Sequence, residues 1–129
     1  MGTTLDVLRE QERQVLAPGE ELIAAARGRN TAGAFDVGFP IVRINDQVLP
    51  EDLLVAISAQ RLFFWRSTLR GQPKGFIVAA DLADIRYPSL KGQVVSFTVG
   101  GFGVKILVGK RGERRLFHEA LLAHVPPPW

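Results

Sequence analysis

Short apolar runs separated by polar breaks occupy the centre of the chain. The runs Leu53–Ile57 and Leu62–Trp65 flank only four residues, 58–61, and a third run follows at residues 76–80 after a polar break. Four residues between two apolar runs leave room only for a tight turn, and short strands at this spacing are typical of a small antiparallel β-barrel. We therefore predict three consecutive strands here.

A strand pair is also predicted in the C-terminal half. Residues 93–99 alternate between apolar and polar, and Gly100-Gly101 follows directly. Glycine tolerates the positive φ that tight hairpin turns require, so these two glycines indicate a hairpin. The return strand carries its apolar residues at alternate positions: Val104, Ile106 and Val108.

Two helices are predicted, one near each end. In residues 3–16, Thr3 and Asp6 have the spacing of a capping box, and Pro18-Gly19 ends the segment. Its apolar side chains fall near one face: Leu5, Leu8 and Val15. After a basic loop at residues 109–112, one face of a final helix is formed by Phe117, Ala120, Leu121 and His124, ahead of three prolines.

The segment between the first helix and residue 53 has a less regular pattern. Residues 20–29 predict a first strand, although the three alanines at 24–26 would suit a helix equally well. Residues 30–38 predict a loop, and residues 39–44 a second strand entered through Pro40. Asn45-Asp46 has the chemistry of a turn.

Together these elements predict a mainly β fold. We expect an antiparallel β-barrel of about seven strands, with a C-terminal helix that closes one end through Phe117 and Leu121, because closure would protect the sheet edges. The expected organisation is an N-terminal helix at residues 1–17, a barrel domain at residues 18–125 and a proline-rich tail at residues 126–129.

Composition excludes several classes of protein. The 129 residues are 47% hydrophobic and 22% charged, which fits one globular domain with its own core. The chain has no cysteine, so disulfide frameworks, thiolate metal sites and thiol nucleophiles are excluded. The N-terminus lacks the basic and apolar regions of a signal peptide, and no apolar run approaches the length of a membrane span. We expect a cytoplasmic protein.

No pattern of catalytic or cofactor-binding residues is found. The glycines at 101 and 103 lack the third glycine of a dinucleotide fingerprint. His118 and His124 would face away from each other on a helix and could not share a metal ion. Asp81 and Asp84 suit loop hydrogen bonding better than acid–base catalysis. We therefore predict no catalytic residue, no metal site and no cofactor.

Four short motifs and the order of elements resemble a known fold family. The motifs are Pro18-Gly-Glu-Glu21, Ser58-Ala-Gln-Arg61-Leu62, Asp81-Leu-Ala-Asp84-Ile85 and Phe117-His-Glu-Ala-Leu121. Over about residues 18–125 the chain resembles the pleckstrin-homology (PH)-like superfamily, in particular its small bacterial and GRAM-type members, although Ser58 stands where such domains usually have threonine. The resemblance implies a binding module without catalysis, which reads phosphoinositide headgroups in some members and binds proteins in many.

The strand at Leu62–Trp65 is apolar on both faces, so both faces need cover. One interpretation is intramolecular: the N-terminal helix packs there through Leu5, Leu8 and Val15. The other is a partner surface formed by Phe63 and Trp65, which would bind another protein or a second copy.

The positive charges suggest a second kind of ligand. The net charge is +3, and Arg27, Arg29 and Arg61 could form a rim that binds anionic lipid or a phosphoinositide, which the resemblance also allows. The basic residues of the C-terminal half are not interleaved with aromatics, so we do not expect a nucleic-acid partner. A protein partner or homo-oligomer is the leading prediction, and weak anionic-membrane binding is the alternative.

Overall fold

Two helices and nine strands form in the part of the chain that the computed structural model describes, residues 3–31 and 43–127. The helices are α1 (Thr4–Gln11) and α2 (Arg111–His124). The strands are β1 (Ala24–Asn30), β2 (Arg43–Ile44), β3 (Gln47–Val48), β4 (Asp52–Ile57), β5 (Arg61–Ser67), β6 (Pro73–Asp81), β7 (Ile85–Lys91), β8 (Val94–Val99) and β9 (Phe102–Leu107). Short 3-10 turns occupy Arg13–Val15 and Leu82–Asp84. The predicted mainly β fold with a helix near each end is confirmed.

Seven strands form one antiparallel sheet in the order β6-β5-β4-β1-β9-β8-β7. The three central strands and the C-terminal hairpin are paired as predicted, with Ile57 opposite Leu62 and Val99 opposite Phe102. Gly100 and Gly101 have φ angles of 56° and 89°, which explains why glycines occupy this turn.

The sheet does not close, so the prediction of a barrel is wrong in this respect. Strands β6 and β7 form its two edges, although only the 3-10 turn Leu82–Asp84 separates them in the chain. That turn is hydrogen-bonded to other parts of the sheet: the Leu82 amide donates to the Gln60 carbonyl, and the Gly100 amide donates to the Asp84 carbonyl. Helix α2 packs on β1, β4 and β7. The opening between the edge strands β6 and β7 is therefore covered by core side chains and not by pairing of the two strands.

Helix α2 supplies the predicted core residues. Phe117 and Leu121 are fully buried in the main core cluster. The helix begins at Arg111, inside the segment predicted as a basic loop, and the remaining loop is correspondingly shorter.

Helix α1 is shorter than the predicted segment 3–16. Thr3 and Asp6 form the predicted capping box, in which each side chain bonds the other residue's backbone amide. The helix ends at Gln11, and the 3-10 turn Arg13–Val15 continues the chain. This change of direction keeps Val15 and Leu16 against the apolar cluster that α1 covers.

Strand β1 begins at Ala24 rather than at residue 20, and the helical alternative for the three alanines is not adopted. Residues 24–29 pair with β4, while only Arg29 and Asn30 pair with β9. The two halves of the sheet are thus joined where β1 passes from one neighbour to the other. A Cβ at Gly28 would lie 2.3 Å from Ile106 Cγ2 and 3.0 Å from the Leu107 carbonyl oxygen, so only glycine allows this approach.

Strand β7 was not predicted, because its residues Ile85–Lys91 lack an alternating apolar pattern. Its pairing with β8 is interrupted between Arg86 and Ser89. Tyr87 lies in this bulge with a φ of 58°, an unusual value for an aromatic residue, and Pro88 follows it.

A small hairpin lies ahead of β4, at residues 43–48. Strands β2 and β3 pair through the predicted turn at Asn45-Asp46, where both residues have positive φ. Residues 39–42 of the predicted second strand, residues 32–38 of the predicted loop and residues 128–129 of the predicted tail lie outside the described residues.

Replacing Gly28 with alanine should destabilise the fold. Ile106 is β-branched and fully buried, so it cannot rotate away from the new methyl group, and we expect the free energy of unfolding to fall by about 2 kcal/mol. Urea denaturation of the purified variant measures this change. Gly103→Ala is the matched control, since a Cβ there meets nothing within 4 Å. Equal destabilisation by both substitutions would contradict this role for Gly28.

Candidate interaction surface

Phe63 and Trp65 are both fully buried beneath α1. Their cluster includes Leu8 from α1 and Leu22, and the partly buried Leu5, Val15 and Leu16 pack against it. The Trp65 Nε1 hydrogen donates to Glu12 Oε1 at 2.7 Å, so the polar atom of the indole is also satisfied within the chain. The intramolecular interpretation thus accounts for the cover of this face, and neither ring is accessible to a partner in this arrangement.

Phe76 on the edge strand β6 extends this aromatic cluster to the surface. Its ring lies edge-on to the Trp65 ring, with centroids 5.7 Å apart, and the residue as a whole is 43% exposed. The cover of this face therefore comes from α1 and the segment after it, and Phe76 remains partly open.

The three arginines predicted to form an anionic rim do not converge. Arg29 lies opposite Asp52 at the start of β4, whereas Leu62, next to Arg61, lies opposite Ile57 at its end. At about 3.3 Å per residue, the backbones of Arg29 and Arg61 are on the order of 17 Å apart.

Each of these arginines also has a partner within the chain. Arg27 Nη2 donates to the Leu69 carbonyl at 2.5 Å, and Arg29 Nε lies 3.6 Å from Glu51 and 3.7 Å from Asp52. The guanidinium of Arg61 lies 4.7 Å from the centre of the Phe63 ring. The geometry therefore gives three separate contacts rather than one binding rim.

Arg61 belongs to a polar network with Glu20 and Ser58. Its Nε and Nη2 donate to Glu20 Oε2 and Oε1 at 3.1 and 2.5 Å, and Ser58 Oγ donates to Glu20 Oε2 at 2.7 Å. Ser58 is fully buried, and its Oγ accepts the backbone amides of Gln60 and Arg61. Two motifs that are far apart in the sequence, Pro18–Glu21 and Ser58–Leu62, are thereby brought into contact.

This network sets the ionisation of Glu20. The hydrogen bonds from Arg61 contribute most to lowering the pKa of the Glu20 carboxyl; together with those from the Ala17 amide and the Ser58 hydroxyl, and against the opposing effect of burial, they lower it from 4.5 to about 2. The Glu20 side chain is almost completely buried and the Arg61 side chain is partly buried, so salt screens this ion pair less than it would an exposed one. The carboxylate fixes the turn before β1 to the β4–β5 turn.

Glu113 is a second buried carboxylate, and no motif in the sequence indicates it. It lies in the first turn of α2, where the helix dipole favours negative charge. Its oxygens accept the backbone amide and the hydroxyl of Thr4 at 2.9 and 3.0 Å, and the amide of Arg27 at 3.2 Å. One side chain therefore joins the start of α1, β1 and α2.

Beside this contact, an apolar groove of about 750 Å³ runs between α2, the start of β1 and the start of α1. Two large apolar residues on its walls face solvent: Leu116 on α2 is 61% exposed and Ile23 is 40% exposed. Small residues form part of the remaining wall: Ala24, Ala25, Gly112, Ala120 and Ala123. Leu5 and polar or charged side chains complete it: Thr3, Lys110, Glu113, Glu119 and His124. This surface was not identified from the sequence; the signal that could have found it is Leu116, a large apolar residue that lies off the predicted core face of the final helix.

The other titratable residues considered from the sequence lie apart from the groove or at its edge. Asp81 and Asp84 are both exposed; Asp81 precedes the 3-10 turn at residues 82–84 and Asp84 is its last residue. Burial lowers the pKa of the half-buried His118, against the opposing charge of Glu119. His124 lines one end of the groove.

The described part of the chain shows neither a cluster of metal ligands nor a membrane-spanning helix. Within residues 3–31 and 43–127, no group of three or more histidine, aspartate or glutamate side chains is placed to hold a metal ion, and no helix is long and apolar enough to cross a membrane. No protein-family model matches the chain, and no curated protein matches it.

Replacing Leu8 with alanine should loosen α1 from the sheet. Leu8 is fully buried against the aromatic cluster, so we expect a loss of about 3 kcal/mol in the free energy of unfolding and a red shift of Trp65 fluorescence. The measurement requires a Trp129→Phe background, because the chain has two tryptophans. Leu69→Ala is the control, since Leu69 is 88% exposed. An unshifted emission spectrum would contradict the role of Leu8.

Glu20 should make stability depend on pH in the acid range. Because its pKa is lower in the folded state than in the unfolded chain, its contribution is complete above about pH 5 and is lost as the pH falls towards 2. We expect Glu20→Gln to remove about 3 kcal/mol at pH 7 and much less at pH 2.5, as measured by urea denaturation at both values. Glu21→Gln, at an exposed neighbour, should leave the profile unchanged. A Glu20→Gln effect that is the same at both pH values would refute this assignment.

Proposed function

We propose that the protein is a non-catalytic PH-like interaction module that binds another protein through the groove between α2, β1 and α1. The observation that carries this proposal is the pair of exposed side chains, Leu116 and Ile23, on the walls of an apolar groove. Exposed apolar patches next to a concavity mark interaction sites more often than isolated exposed residues do.

The fold supports the PH-like part of this proposal. Seven antiparallel strands are followed by a C-terminal helix whose apolar face enters the core, as the resemblance implies. The motif residues Glu20, Ser58 and Arg61 contact one another directly, so two of the four motifs on which the proposal relies form one unit in the fold.

The role of the aromatic strand changes in this proposal. Phe63 and Trp65 hold α1 against the sheet, and Leu5 of α1 lines the groove. Phe63 and Trp65 therefore contribute to binding indirectly, because they position α1, which forms one wall of the groove. The two buried carboxylates, Glu20 and Glu113, are occupied by structural hydrogen bonds, which supports a binding role over an acid–base role.

Site-specific photo-cross-linking tests the proposal. A benzophenone amino acid is placed at Leu116 in the full chain and expressed in cells that naturally contain the protein. We expect discrete cross-linked products from this position, because a partner seated in the groove would lie against the probe.

The same probe at Leu69 is the control, since Leu69 is more exposed and lies on the β5–β6 turn. Products from position 116 but not from position 69 would support the groove. The proposal would be overturned if both positions gave the same pattern. It would also be overturned if neither the probe at position 116 nor a second probe at Ala123 gave a product.

A further inference from the structure

We propose that the β5–β6 turn, residues 68–72, binds the surface of an anionic lipid bilayer, with Leu69 inserted beneath the headgroups and the basic side chains around it bound to them. This inference goes beyond the proposed function, because it concerns another surface and another class of partner. It is carried by the exposure of Leu69, by the hydrogen bonds that fix the turn and by the charges around it.

Leu69 is 88% exposed, the largest exposed fraction of any large apolar residue in the described part of the chain. It belongs to neither core cluster, so its side chain is not part of the packing that stabilises the fold. Single exposed apolar residues are common on protein surfaces, and exposure alone would not mark a site. The way in which the turn holds Leu69 is therefore a necessary second observation.

The backbone of the turn is fixed by hydrogen bonds to Thr68. The Thr68 amide donates to the Gln72 carbonyl at 2.9 Å, and the Thr68 carbonyl accepts the Gly71 amide at 3.1 Å. The Thr68 hydroxyl oxygen accepts two further amides, those of Arg70 at 3.3 Å and Gln72 at 3.1 Å. Leu69 therefore projects from a turn with a defined backbone conformation.

Arg27 on β1 supports the same turn from the side. Its Nη2 donates to the Leu69 carbonyl at 2.5 Å, and its side chain lies 3.2 Å from the position that a Cβ at Gly71 would occupy. Gly71 has a φ of 77°, which favours glycine, so this approach of Arg27 suits the residue that the turn already requires. The contact holds Leu69 through its backbone and leaves its side chain exposed.

The side chains around this turn are basic. Residues 62–80 contain no acidic residue and three basic residues: Arg66, Arg70 and Lys74. All three are exposed, as is Arg27, and none of these four cations is in an ion pair with another described residue. The carboxylates of Glu51 and Asp52, at the start of β4, lie 3.6 and 3.7 Å from Arg29 Nε instead. The turn therefore presents positive charge that the described chain does not neutralise.

An apolar tip with basic side chains around it matches the structure of an anionic bilayer. Anionic headgroups form the bilayer surface and the apolar layer lies directly beneath them, so both parts of the tip are accommodated at once. Lysine and arginine can keep their charges among the headgroups while their apolar stems lie deeper. Nucleic acids and acidic peptides offer negative charge without an apolar layer behind it, so the exposed leucine favours the bilayer.

The association should be reversible, because it uses one apolar side chain and a few charges. Each cation near an anionic surface raises the partition onto the bilayer by roughly fivefold. Stable attachment generally takes two signals, and neither the leucine nor the charges suffice alone. We therefore expect that loss of either one weakens binding by at least about tenfold.

Co-sedimentation of the purified full chain with vesicles of phosphatidylcholine and about 30% phosphatidylglycerol, at about 0.1 M salt, tests the inference. We expect the native chain to sediment with these vesicles and not with pure phosphatidylcholine. Leu69→Glu should weaken binding by at least about tenfold. Leu116→Glu, at an exposed leucine of the groove, is the matched control and should change binding by less than about twofold.

Two charge-reversed variants test the basic side chains. Arg70→Glu/Lys74→Glu should weaken vesicle binding by at least about tenfold. Lys105→Glu/Lys110→Glu changes the net charge equally at exposed positions outside the turn, and should weaken binding by less than about threefold. Circular dichroism verifies that each variant is folded.

A fluorescent label at position 69 reports insertion directly. The chain has no cysteine, so Leu69→Cys can be labelled at this position alone with a nitrobenzoxadiazole dye. We expect the emission to shift to the blue when the anionic vesicles are added, because the dye enters the apolar layer. The same dye on Leu116→Cys should show no shift.

Four outcomes would overturn the inference. They are a native chain that does not bind the anionic vesicles, a Leu69→Glu variant that binds as strongly as the native chain, equal weakening by the two charge-reversed variants, and an unshifted emission at position 69. Binding of the native chain to polyglutamate or single-stranded DNA but not to vesicles would likewise remove the bilayer as the partner. None of these results affects the groove, which cross-linking at position 116 tests separately.

Discussion

The central constraint on this fold is that β4 and β5 are apolar on both faces. Leu53–Ile57 and Leu62–Trp65 are completely buried, so each face of these strands must be covered by another layer. Helix α2 contributes to the core on one face, and α1 covers the aromatic face on the other. A sheet with one apolar face would need only one of these helices, and the groove between them would not form.

Two buried carboxylates connect the layers that this arrangement requires. Glu113 binds the first amide of α1 and the backbone of β1, and Glu20 binds the β4–β5 turn through Arg61 and Ser58. Each accepts several hydrogen bonds, which offsets the cost of removing the carboxylate from water. The walls of the groove are therefore held by specific polar contacts as well as by apolar packing, which gives the surface a defined shape.

The elements with periodic patterns could be predicted from the sequence, and those defined by long-range contacts could not. The runs at β4 and β5 and the Gly100-Gly101 turn carry strong local signals, and the structure places them as predicted. Strand β7 and the open sheet edge depend on the corner at Leu82–Asp84, whose hydrogen bonds reach the other turns of the sheet. The separation of the predicted arginines could not be seen for a related reason, because one-dimensional spacing does not show that Arg29 and Arg61 lie at opposite ends of β4.

An open sheet has two edges at which another chain could add a strand, and both edges of this sheet are irregular. The ladder of β7 is broken around Tyr87, and Pro88 has no amide hydrogen to donate. On the other side, the pairing of β5 with β6 shifts register twice, and β6 begins at Pro73. Such interruptions discourage continuous edge-to-edge growth of the kind that leads to aggregation. The chain thus combines an unclosed sheet with protection against its extension, so the sheet can remain open without offering a regular edge to which strands of other molecules could add.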